Sequence, residues 1–292
     1  MPVSIQPVMK GRLACWQVRR GDSLLLVAEQ GAQVLEYRQG DAAPVIWLSE
    51  QAAFDSGQPV RGGIPVCWPW FGDLARNPEA VQALHPLPAP AHGLVRGLPW
   101  TLERQAEEQG TAVLDFNCPP LAQCPGLQLR LQIRLDDALH LRLTSHNLGD
   151  ATVTLSQALH SYLAVGDIHR VSVQGLDDTP YIETLEDWQP RRQSGELRFD
   201  GETDRIYLDL PQRLALIDPA WQRRIELHAS GSRSAVLWNP WIDKSRRLSQ
   251  FAEDAWQRML CIETANVLDD VVRLAPGATH TLGLSIALKP SP

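Results

Sequence analysis

The sequence lacks most signals that would place it in a membrane, on a nucleic acid or in an oxidising compartment. No apolar run approaches the roughly 18 residues of a membrane span. The segment from Met1 to Lys10 has no apolar stretch of the kind found in signal peptides. The five cysteines are scattered without a CxxC pair, which indicates reduced thiols. The net charge of −7 disfavours a nucleic-acid partner. We therefore expect a cytoplasmic protein without membrane or nucleic-acid partners.

Signals for metals and nucleotide cofactors are also missing. The chain has no P-loop and no GxGxxG pattern after a strand. His85 and His92, or His160 and His169, do not have the spacing of a metal-ligand motif such as HExxH. The sequence therefore disfavours metal chemistry and does not indicate a nucleotide cofactor.

Strand signals dominate the chain, and helix signals are few. Leucine and isoleucine alternate with polar residues over positions 128–135 and again over 139–144, with the turn signature Asp136-Asp137 between them. Other extended segments recur about every 8–12 residues, which is typical of an antiparallel sandwich or barrel. These segments are Leu13–Val18, Leu24–Ala28, Val34–Tyr37, Val45–Leu48, Ala112–Phe116, Val171–Gln174, Arg205–Leu208, Leu214–Ile217, Arg224–Leu227, Ala235–Trp238 and Leu282–Ala287.

The remaining segments predict short helices and surface loops. Helices are predicted only at Leu74–Gln82 and Glu253–Arg258. The proline-rich stretch Asn77–Ala91 and the polar stretch Asp187–Asp204 predict loops. With 44% hydrophobic and 21% charged residues, a chain of this length can form one large β domain. We predict a single all-β domain over residues 1–292, with antiparallel sheets and few short helices.

One acidic residue lies inside an otherwise apolar strand. The segment Met259–Ala265 predicts a strand, and side chains alternate between the two faces of a strand. Met259, Cys261 and Glu263 should therefore share a face. A carboxylate in such a strand, with no basic neighbour in the segment, is costly unless it is paired or used. Glu263 is either paired with an arginine for structure or part of a functional site.

A histidine ends a second unusual strand, predicted over Ala151–His160. The polar residues of this segment share the parity of His160, so an uninterrupted strand would place them in a stripe that lines a wet cleft. The alternative is a core histidine whose ring is satisfied by a backbone carbonyl. Together, His160 and Glu263 suggest an acid–base pair on the floor of a pocket.

Two glycine-rich segments each carry an arginine. Arg61–Gly72 combines glycines, prolines and aromatic rings, and His92–Trp100 repeats this composition around Arg96. The pair Gly62-Gly63 permits positive φ and close backbone approach. The arginine fork suits a phosphate, and aromatic rings offer flat faces to a sugar. Alternatively, the tryptophans are core residues and the arginines form structural ion pairs.

The same segments, with two more, occur together and in the same order as in a known family. The set is Arg61–Gly72, His92–Arg96, His160–Ile168, Thr203–Tyr207, Trp238–Trp241 and Cys261–Ala265. Over about residues 20 to 288 the chain resembles the hexose-6-phosphate mutarotases, also called glucose-6-phosphate 1-epimerases. These belong to the aldose 1-epimerase superfamily, and the chain looks most like their bacterial branch. The resemblance implies a galactose-mutarotase-like β-supersandwich without a metal or an organic cofactor.

The resemblance also implies a role for individual residues. It indicates two catalytic and four substrate-binding residues: His160 and Glu263 are catalytic, and Arg61, His92, Arg96 and Asp204 bind the substrate. Some family members have glutamine before the histidine of the HG-x-x-R motif. This chain has Ala91 there, which cannot supply that glutamine's sugar contact.

The implied chemistry is exchange of sugar anomers. Ring opening requires a base at the C1 hydroxyl and an acid at the ring oxygen. We hypothesise that Glu263 is the base and His160 the acid, and that they exchange roles on closure. Arg61 and Arg96 would hold a phosphate. The predicted function is a glucose-6-phosphate 1-epimerase that interconverts the α and β anomers of hexose 6-phosphates, with a monomer favoured.

Other functions remain open from the sequence. A non-catalytic sugar-phosphate-binding protein would keep the arginines but would not need both His160 and Glu263. An aldose 1-epimerase acting on unphosphorylated sugars would not need the two arginines. A glycoside hydrolase needs two carboxylates about 5–10 Å apart, which Asp204 and Glu263 could supply.

Overall fold

Antiparallel β-strands are the main regular secondary structure of the chain, as seen in a computed structural model that describes residues 1–290. In chain order the first strands are β1 (Val3–Lys10), β2 (Leu13–Arg20), β3 (Ser23–Ala28), β4 (Val34–Gln39), β5 (Val66–Cys67), β6 (Thr101–Glu108), β7 (Thr111–Asn117), β8 (Leu127–Leu135), β9 (Leu139–Asn147), β10 (Val153–Leu155), β11 (Gln157–Leu159) and β12 (Tyr162–Ala164). The others are β13 (Ser172–Gln174), β14 (Pro180–Glu183), β15 (Gln189–Arg192), β16 (Leu197–Arg198), β17 (Thr203–Tyr207), β18 (Arg213–Asp218), β19 (Arg223–Ser230), β20 (Ser234–Asn239), β21 (Met259–Asn266), β22 (Val272–Leu274) and β23 (Thr279–Pro290).

Helices in the described part of the chain are few and short. The α-helices are α1 (Glu79–Gln82) and α2 (Trp241–Ser245), and the 3₁₀ helices are Leu74–Arg76, Pro219–Trp221, Ala255–Arg258 and Leu268–Asp270. Within residues 1–290, no helix has the length and apolar character needed to cross a membrane.

Two large sheets dominate the architecture. One has nine strands in the order β16-β13-β18-β19-β23-β9-β8-β7-β6. The other has eight, in the order β15-β14-β17-β20-β21-β11-β5, with β12 also paired to β21. Strands β1 to β4 form a separate sheet in sequence order, and β10 pairs with β22. Every strand pairing described is antiparallel, so the predicted all-β fold of antiparallel sheets with few short helices is confirmed.

The main core joins the two large sheets. One continuous cluster of buried residues includes Leu131 and Leu284 from the nine-stranded sheet and Leu237 and Ile262 from the eight-stranded sheet. Because side chains alternate along a strand, Val236 beside Leu237 and Glu263 beside Ile262 point to the opposite face, where both line a cavity. The eight-stranded sheet therefore has one face in the core and a second face that is available for a site.

Most predicted strands overlap an observed strand, but two predictions about extended structure are wrong. Val45–Leu48 makes only isolated bridges, in which Ile46 pairs with Leu163 and Leu48 pairs with Gly62. The stretch 187–204 is not a loop, because it contains β15, β16 and the start of β17.

The segment predicted as one strand ending at His160 is two strands. It breaks at Ser156: β10 pairs with β22, whereas β11 pairs with β21 and β5. The Ser156 hydroxyl accepts a hydrogen bond from the backbone N–H of Phe71 and donates one to Asn77. No polar stripe forms along this segment, because its second half is buried.

The predicted helix Leu74–Gln82 is also two pieces. A 3₁₀ turn ends at Arg76, and α1 begins after Pro78, so the predicted loop Asn77–Ala91 contains this helix. A proline at this position lacks the N–H that a continuous helix would need. Only the end of the second predicted helix, Glu253–Arg258, is helical. The assignment of the whole chain to one domain stays a prediction.

Candidate active site

A cavity of about 730 Å³ lies over the face of the eight-stranded sheet that points away from the core. This volume is within the usual range of small-molecule sites, about 300–1,000 Å³. The six residues predicted for the site all line the cavity: Arg61, His92, Arg96, Asp204, His160 and Glu263.

Strand β21 places Glu263 in the floor of the cavity. Across the sheet, Glu263 pairs with Val236 of β20, and Val236 pairs with Ile206 of β17. These apolar neighbours are buried, and Glu263 itself is only 2% exposed. Asp204 lies two residues before Ile206 on the same face of β17. The register of β17, β20 and β21 thus brings the carboxylates of Asp204 and Glu263 to one surface of the sheet, and Glu263 has the more apolar surroundings.

His160 reaches Glu263 from the end of β11. Its backbone N–H donates to the carbonyl of Pro65, which fixes the chain at this point. The His160 Nε2 atom lies 3.4 Å from Glu263 Oε2. Within residues 1–290, neither His160 Nδ1 nor Glu263 Oε2 has a hydrogen-bond partner. In the described residues the His160 ring is therefore not bonded to a backbone carbonyl, and Glu263 is not paired with an arginine. These were the two structural alternatives considered from the sequence.

Burial favours the uncharged forms of both His160 and Glu263. Burial raises the pKa of the Glu263 carboxyl well above its usual value, and the charge of Asp204 adds to this effect. Burial lowers the pKa of the His160 imidazole well below its usual value, and the nearby His92 ring and the charges of Arg96 and Arg61 lower it further. In the unliganded site the proton therefore favours Glu263, the reverse of the arrangement hypothesised from the sequence for ring opening.

His92 lines the cavity as a neutral hydrogen-bond donor. Its Nδ1 accepts a bond of 3.3 Å from the backbone N–H of Gly72, while its own backbone N–H donates to the Gly72 carbonyl. The ring proton must then lie on Nε2. Burial lowers the pKa of His92 to about 3, and Arg96 and Arg61 act in the same direction. The remaining N–H suits a sugar hydroxyl.

Arg61 and Arg96 have no carboxylate partner within residues 1–290. Arg61 Nε donates to the Ser249 carbonyl at 3.3 Å, and its Nη1 donates to the Tyr162 hydroxyl at 3.4 Å. Arg96 Nη2 donates to the Ala91 carbonyl at 2.6 Å. Structural ion pairs, the alternative considered for these arginines, are thus not formed in the described residues. Both charges are available to an anion.

The backbone conformation next to Arg61 requires glycine at positions 62 and 63. Gly62 and Gly63 adopt φ values of 102° and 74°. A Cβ atom on Gly63 would lie 2.3 Å from the Val34 carbonyl oxygen, so no other residue fits without a shift of the backbone. The predicted close approach of backbone at this pair is confirmed, and it fixes the start of the Arg61 side chain.

The tryptophans of the glycine-rich segments do not form the sugar-facing surface. Trp68, Trp70 and Trp100 are at most 2% exposed and belong to the core. The structural alternative was therefore right for these three rings. The indoles that line the cavity are those of Trp188 and Trp238.

Asp204 pairs with a lysine at the edge of the cavity. Its Oδ2 lies 3.6 Å from Lys244 Nζ, which also lies 3.0 Å from Glu202 Oε1. Burial raises the pKa of Asp204, whereas Lys244 lowers it. An acceptor beside a donor at this position suits a sugar hydroxyl, which needs both.

One group of three potential metal ligands occurs in the described residues. The donor atoms of His160, Cys261 and Glu263 all lie within 4.8 Å of one another. Burial raises the pKa of the Cys261 thiol well above its usual value, and the nearby Glu263 carboxyl acts in the same direction. Because metals bind the thiolate, this group fits a metal poorly. The absence of a metal or organic cofactor in function stays a prediction.

Comparison with known proteins establishes the family. Residues 15–287 match the family model described as aldose 1-epimerase. A protein of Escherichia coli (strain K12) named "Putative glucose-6-phosphate 1-epimerase" is 35% identical over 82% of this chain and 78% of its own length.

The chain belongs to the aldose 1-epimerase family.

It is therefore an isomerase, and the predicted family resemblance is confirmed.

Solved structures agree with this assignment. The epimerase resembles a crystal structure named as a putative mutarotase from Salmonella typhimurium, with a TM-score of 0.88 and 26% identity over 98% of this chain and 94% of that one. A galactose 1-epimerase from Lactobacillus acidophilus shares the fold with a TM-score of 0.75 at 15% identity, covering 100% of this chain and 99% of that one. The galactose-mutarotase-like fold predicted from the sequence is confirmed.

The cavity residues that were not assigned to the site from the sequence include Tyr162, Trp188, Trp238 and Lys244. Tyr162 and Trp238 lie in segments that carried the family resemblance, so a signal for them was present. Trp188 lies in the stretch mistaken for a loop, and Lys244 lies in α2, which no pattern predicted.

Glutamine at position 263 should stabilise the epimerase increasingly as pH rises. The folded-state pKa of Glu263 lies above its ordinary value of 4.5. The stability that this proton contributes is fully present below pH 4.5 and is lost as pH rises through the raised pKa. We therefore expect the melting temperature of Glu263→Gln minus that of the native protein to grow between pH 4.5 and pH 8. Differential scanning calorimetry would measure it.

The matched control is Glu253→Gln, because Glu253 is exposed and does not line the cavity. It removes the same charge without removing a buried carboxylate. A difference for Glu263→Gln that stays constant with pH would contradict the raised pKa.

Proposed function

We propose that this aldose 1-epimerase acts on hexose 6-phosphates, as a glucose-6-phosphate 1-epimerase. One observation carries the proposal: His160 Nε2 and Glu263 Oε2 lie 3.4 Å apart in a cavity that also presents Arg61 and Arg96 without carboxylate partners in the described residues. The first pair supplies acid–base chemistry, and the second supplies recognition of an anion.

The proposed reaction needs a single proton shared by His160 and Glu263. The base removes the proton of the C1 hydroxyl while the acid protonates the ring oxygen, so the C1–O5 bond breaks and an aldehyde forms. Rotation about C1–C2 presents the other face of the aldehyde. On closure the former base returns its proton to O1 while the former acid takes a proton back from the C5 hydroxyl, so the C1–O5 bond re-forms and the ring closes as the other anomer.

The phosphate of the substrate would set the direction of the first transfer. The charges of Arg61 and Arg96 lower the pKa of His160 in the unliganded site. A bound dianion offsets both charges, which favours imidazolium. In the substrate complex we therefore assign His160 as the acid and Glu263 as the base, in agreement with the hypothesis drawn from the sequence. His92 and Asp204 would hold sugar hydroxyls.

The two arginines favour a phosphorylated substrate over a free aldose. Arginine binds phosphate through parallel charge-assisted hydrogen bonds, and the phosphate of a hexose 6-phosphate is the anion that this site would hold. The relative from Escherichia coli carries the same activity in its name. Family membership makes a binding protein without activity the weaker alternative. The cytoplasmic location and the monomeric state stay predictions.

The proposed function predicts catalysed exchange between the anomers of glucose 6-phosphate. Two-dimensional exchange NMR on the equilibrium mixture would show cross-peaks between the two C1 protons that grow with protein concentration. Spontaneous mutarotation without protein is the background to subtract. We expect a higher kcat/KM for glucose 6-phosphate than for glucose. Equal values would contradict the phosphate specificity, and no acceleration with any aldose would contradict the proposed reaction.

A further inference from the structure

The imidazole of His160 lacks the hydrogen bond that usually orients a catalytic histidine. In many acid–base sites the second ring nitrogen bonds to a carboxylate or a carbonyl, which fixes the ring plane and the tautomer. In this epimerase His160 Nδ1 is buried and has no partner within residues 1–290. The ring orientation must therefore come from packing.

Tyr162 supplies that packing. Its ring is stacked on the His160 imidazole, with centroids 4.7 Å apart and an interplanar angle of 5°. The other aromatic neighbours are tilted: His92 lies at 5.4 Å and 60°, and Phe71 at 6.2 Å and 48°. Tyr162 is thus the one ring among these neighbours that is parallel to the imidazole. A parallel face opposes rotation of the imidazole out of its plane.

Tyr162 is itself held firmly. It is only 4% exposed, its backbone N–H donates to the Gly63 carbonyl, and its carbonyl accepts from Trp47. Its ring lies 5.7 Å from that of Trp47 at 26°, and 6.2 Å from that of Trp238 at 81°. A side chain fixed in this way can impose an orientation on its neighbour.

The hydroxyl of Tyr162 connects the stacked Tyr162–His160 pair to Arg61. It accepts a hydrogen bond of 3.4 Å from Arg61 Nη1. One end of Tyr162 therefore touches a group assigned to the phosphate, and its face touches a group assigned to proton transfer. We propose that Tyr162 is a positioning residue that fixes the plane of His160 and couples it to the substrate phosphate through Arg61. This inference rests on the proposed function.

Two substitutions separate the two contacts of Tyr162. Tyr162→Phe keeps the stacked ring and removes the hydroxyl, so KM for glucose 6-phosphate should rise by roughly 3- to 10-fold with kcat within about threefold. Tyr162→Leu removes the stack, so kcat should fall by about 10- to 100-fold on glucose 6-phosphate. Tyr181→Leu is the control, because it removes a buried tyrosine of the same sheet that does not line the cavity.

A double-mutant cycle distinguishes positioning from a general loss of structure. If Tyr162 acts through the imidazole, Tyr162→Leu should change kcat by less than about twofold in a His160→Ala background. The same fold-loss in both backgrounds would overturn the proposal.

A spectroscopic readout keeps this test independent of activity. The ¹⁵N resonances of the His160 ring should move in Tyr162→Leu and stay in place in Tyr181→Leu, because the ring current and the tautomer both depend on the stacked face. Unchanged His160 resonances in Tyr162→Leu would overturn the inference even in an active enzyme. A native protein that fails to exchange anomers would instead contradict the proposed function.

Discussion

His160→Ala and Glu263→Gln should each reduce catalysed anomer exchange of glucose 6-phosphate by about 10²- to 10⁴-fold, the usual contribution of a positioned acid or base. Each change leaves the shared proton without one of its two sites, so neither ring opening nor closure can proceed by paired transfer. Because the residues act as a unit, the double variant should be scarcely slower than either single variant. Exchange NMR after subtraction of the spontaneous rate would measure all three.

The design includes matched controls for both changes. Glu263→Gln preserves shape, so its loss of rate cannot come from a cavity in the protein. His228→Ala removes a histidine that is exposed and lies outside the cavity, and it should keep the native rate. Near-native exchange in both His160→Ala and Glu263→Gln would show that the acid–base assignment is wrong.

Arg61→Gln and Arg96→Gln should each lower kcat/KM for glucose 6-phosphate by about 10- to 100-fold. A hydrogen bond to a charged group contributes about 1.5–3 kcal/mol, and each 1.4 kcal/mol corresponds to a factor of ten. The effect on unphosphorylated glucose should stay within about threefold, because that substrate has no anion to bind. The preference for the phosphorylated sugar would therefore shrink in each variant.

Arg142→Gln provides the control for net charge. Arg142 is exposed on the nine-stranded sheet and does not line the cavity, so its loss changes the total charge equally without touching the site. If Arg61→Gln and Arg96→Gln slowed glucose and glucose 6-phosphate equally, the arginines would serve structure or general binding rather than phosphate recognition.

The sequence predicted the long strands with one apolar face and missed several others, including edge strands that bury little. Strands β8 and β9 alternate clearly because each has one face in the core. Strands β1 and β6 were missed. Both lie at the edges of their sheets and bury little, so no alternating pattern selects their residues. Strand β15 was missed for the same reason, because all four of its residues are exposed.

For the candidate site, a single residue of unexpected chemistry in its segment was a better predictor than the alternation of polar and apolar residues. Glu263 stood out because an acid inside an apolar strand is costly, and the structure places it in the cavity floor. The strand parity argument for His160 failed, because the chain breaks at Ser156 and changes sheets there. The 3.4 Å approach of His160 to Glu263 could not be predicted without the fold. Contacts between residues about a hundred positions apart depend on sheet order.

In the proposed reaction, two facing groups exchange one proton through the substrate, and this chemistry is the same for both configurations of C1. The protonation state of the site is the same before and after each turnover, whichever face of the aldehyde is attacked. One turnover therefore does not bias the next towards either anomer. Such an enzyme accelerates the approach to equilibrium but does not change the equilibrium ratio of the two anomers. At equilibrium, the relative free energies of the two anomers alone decide their proportions.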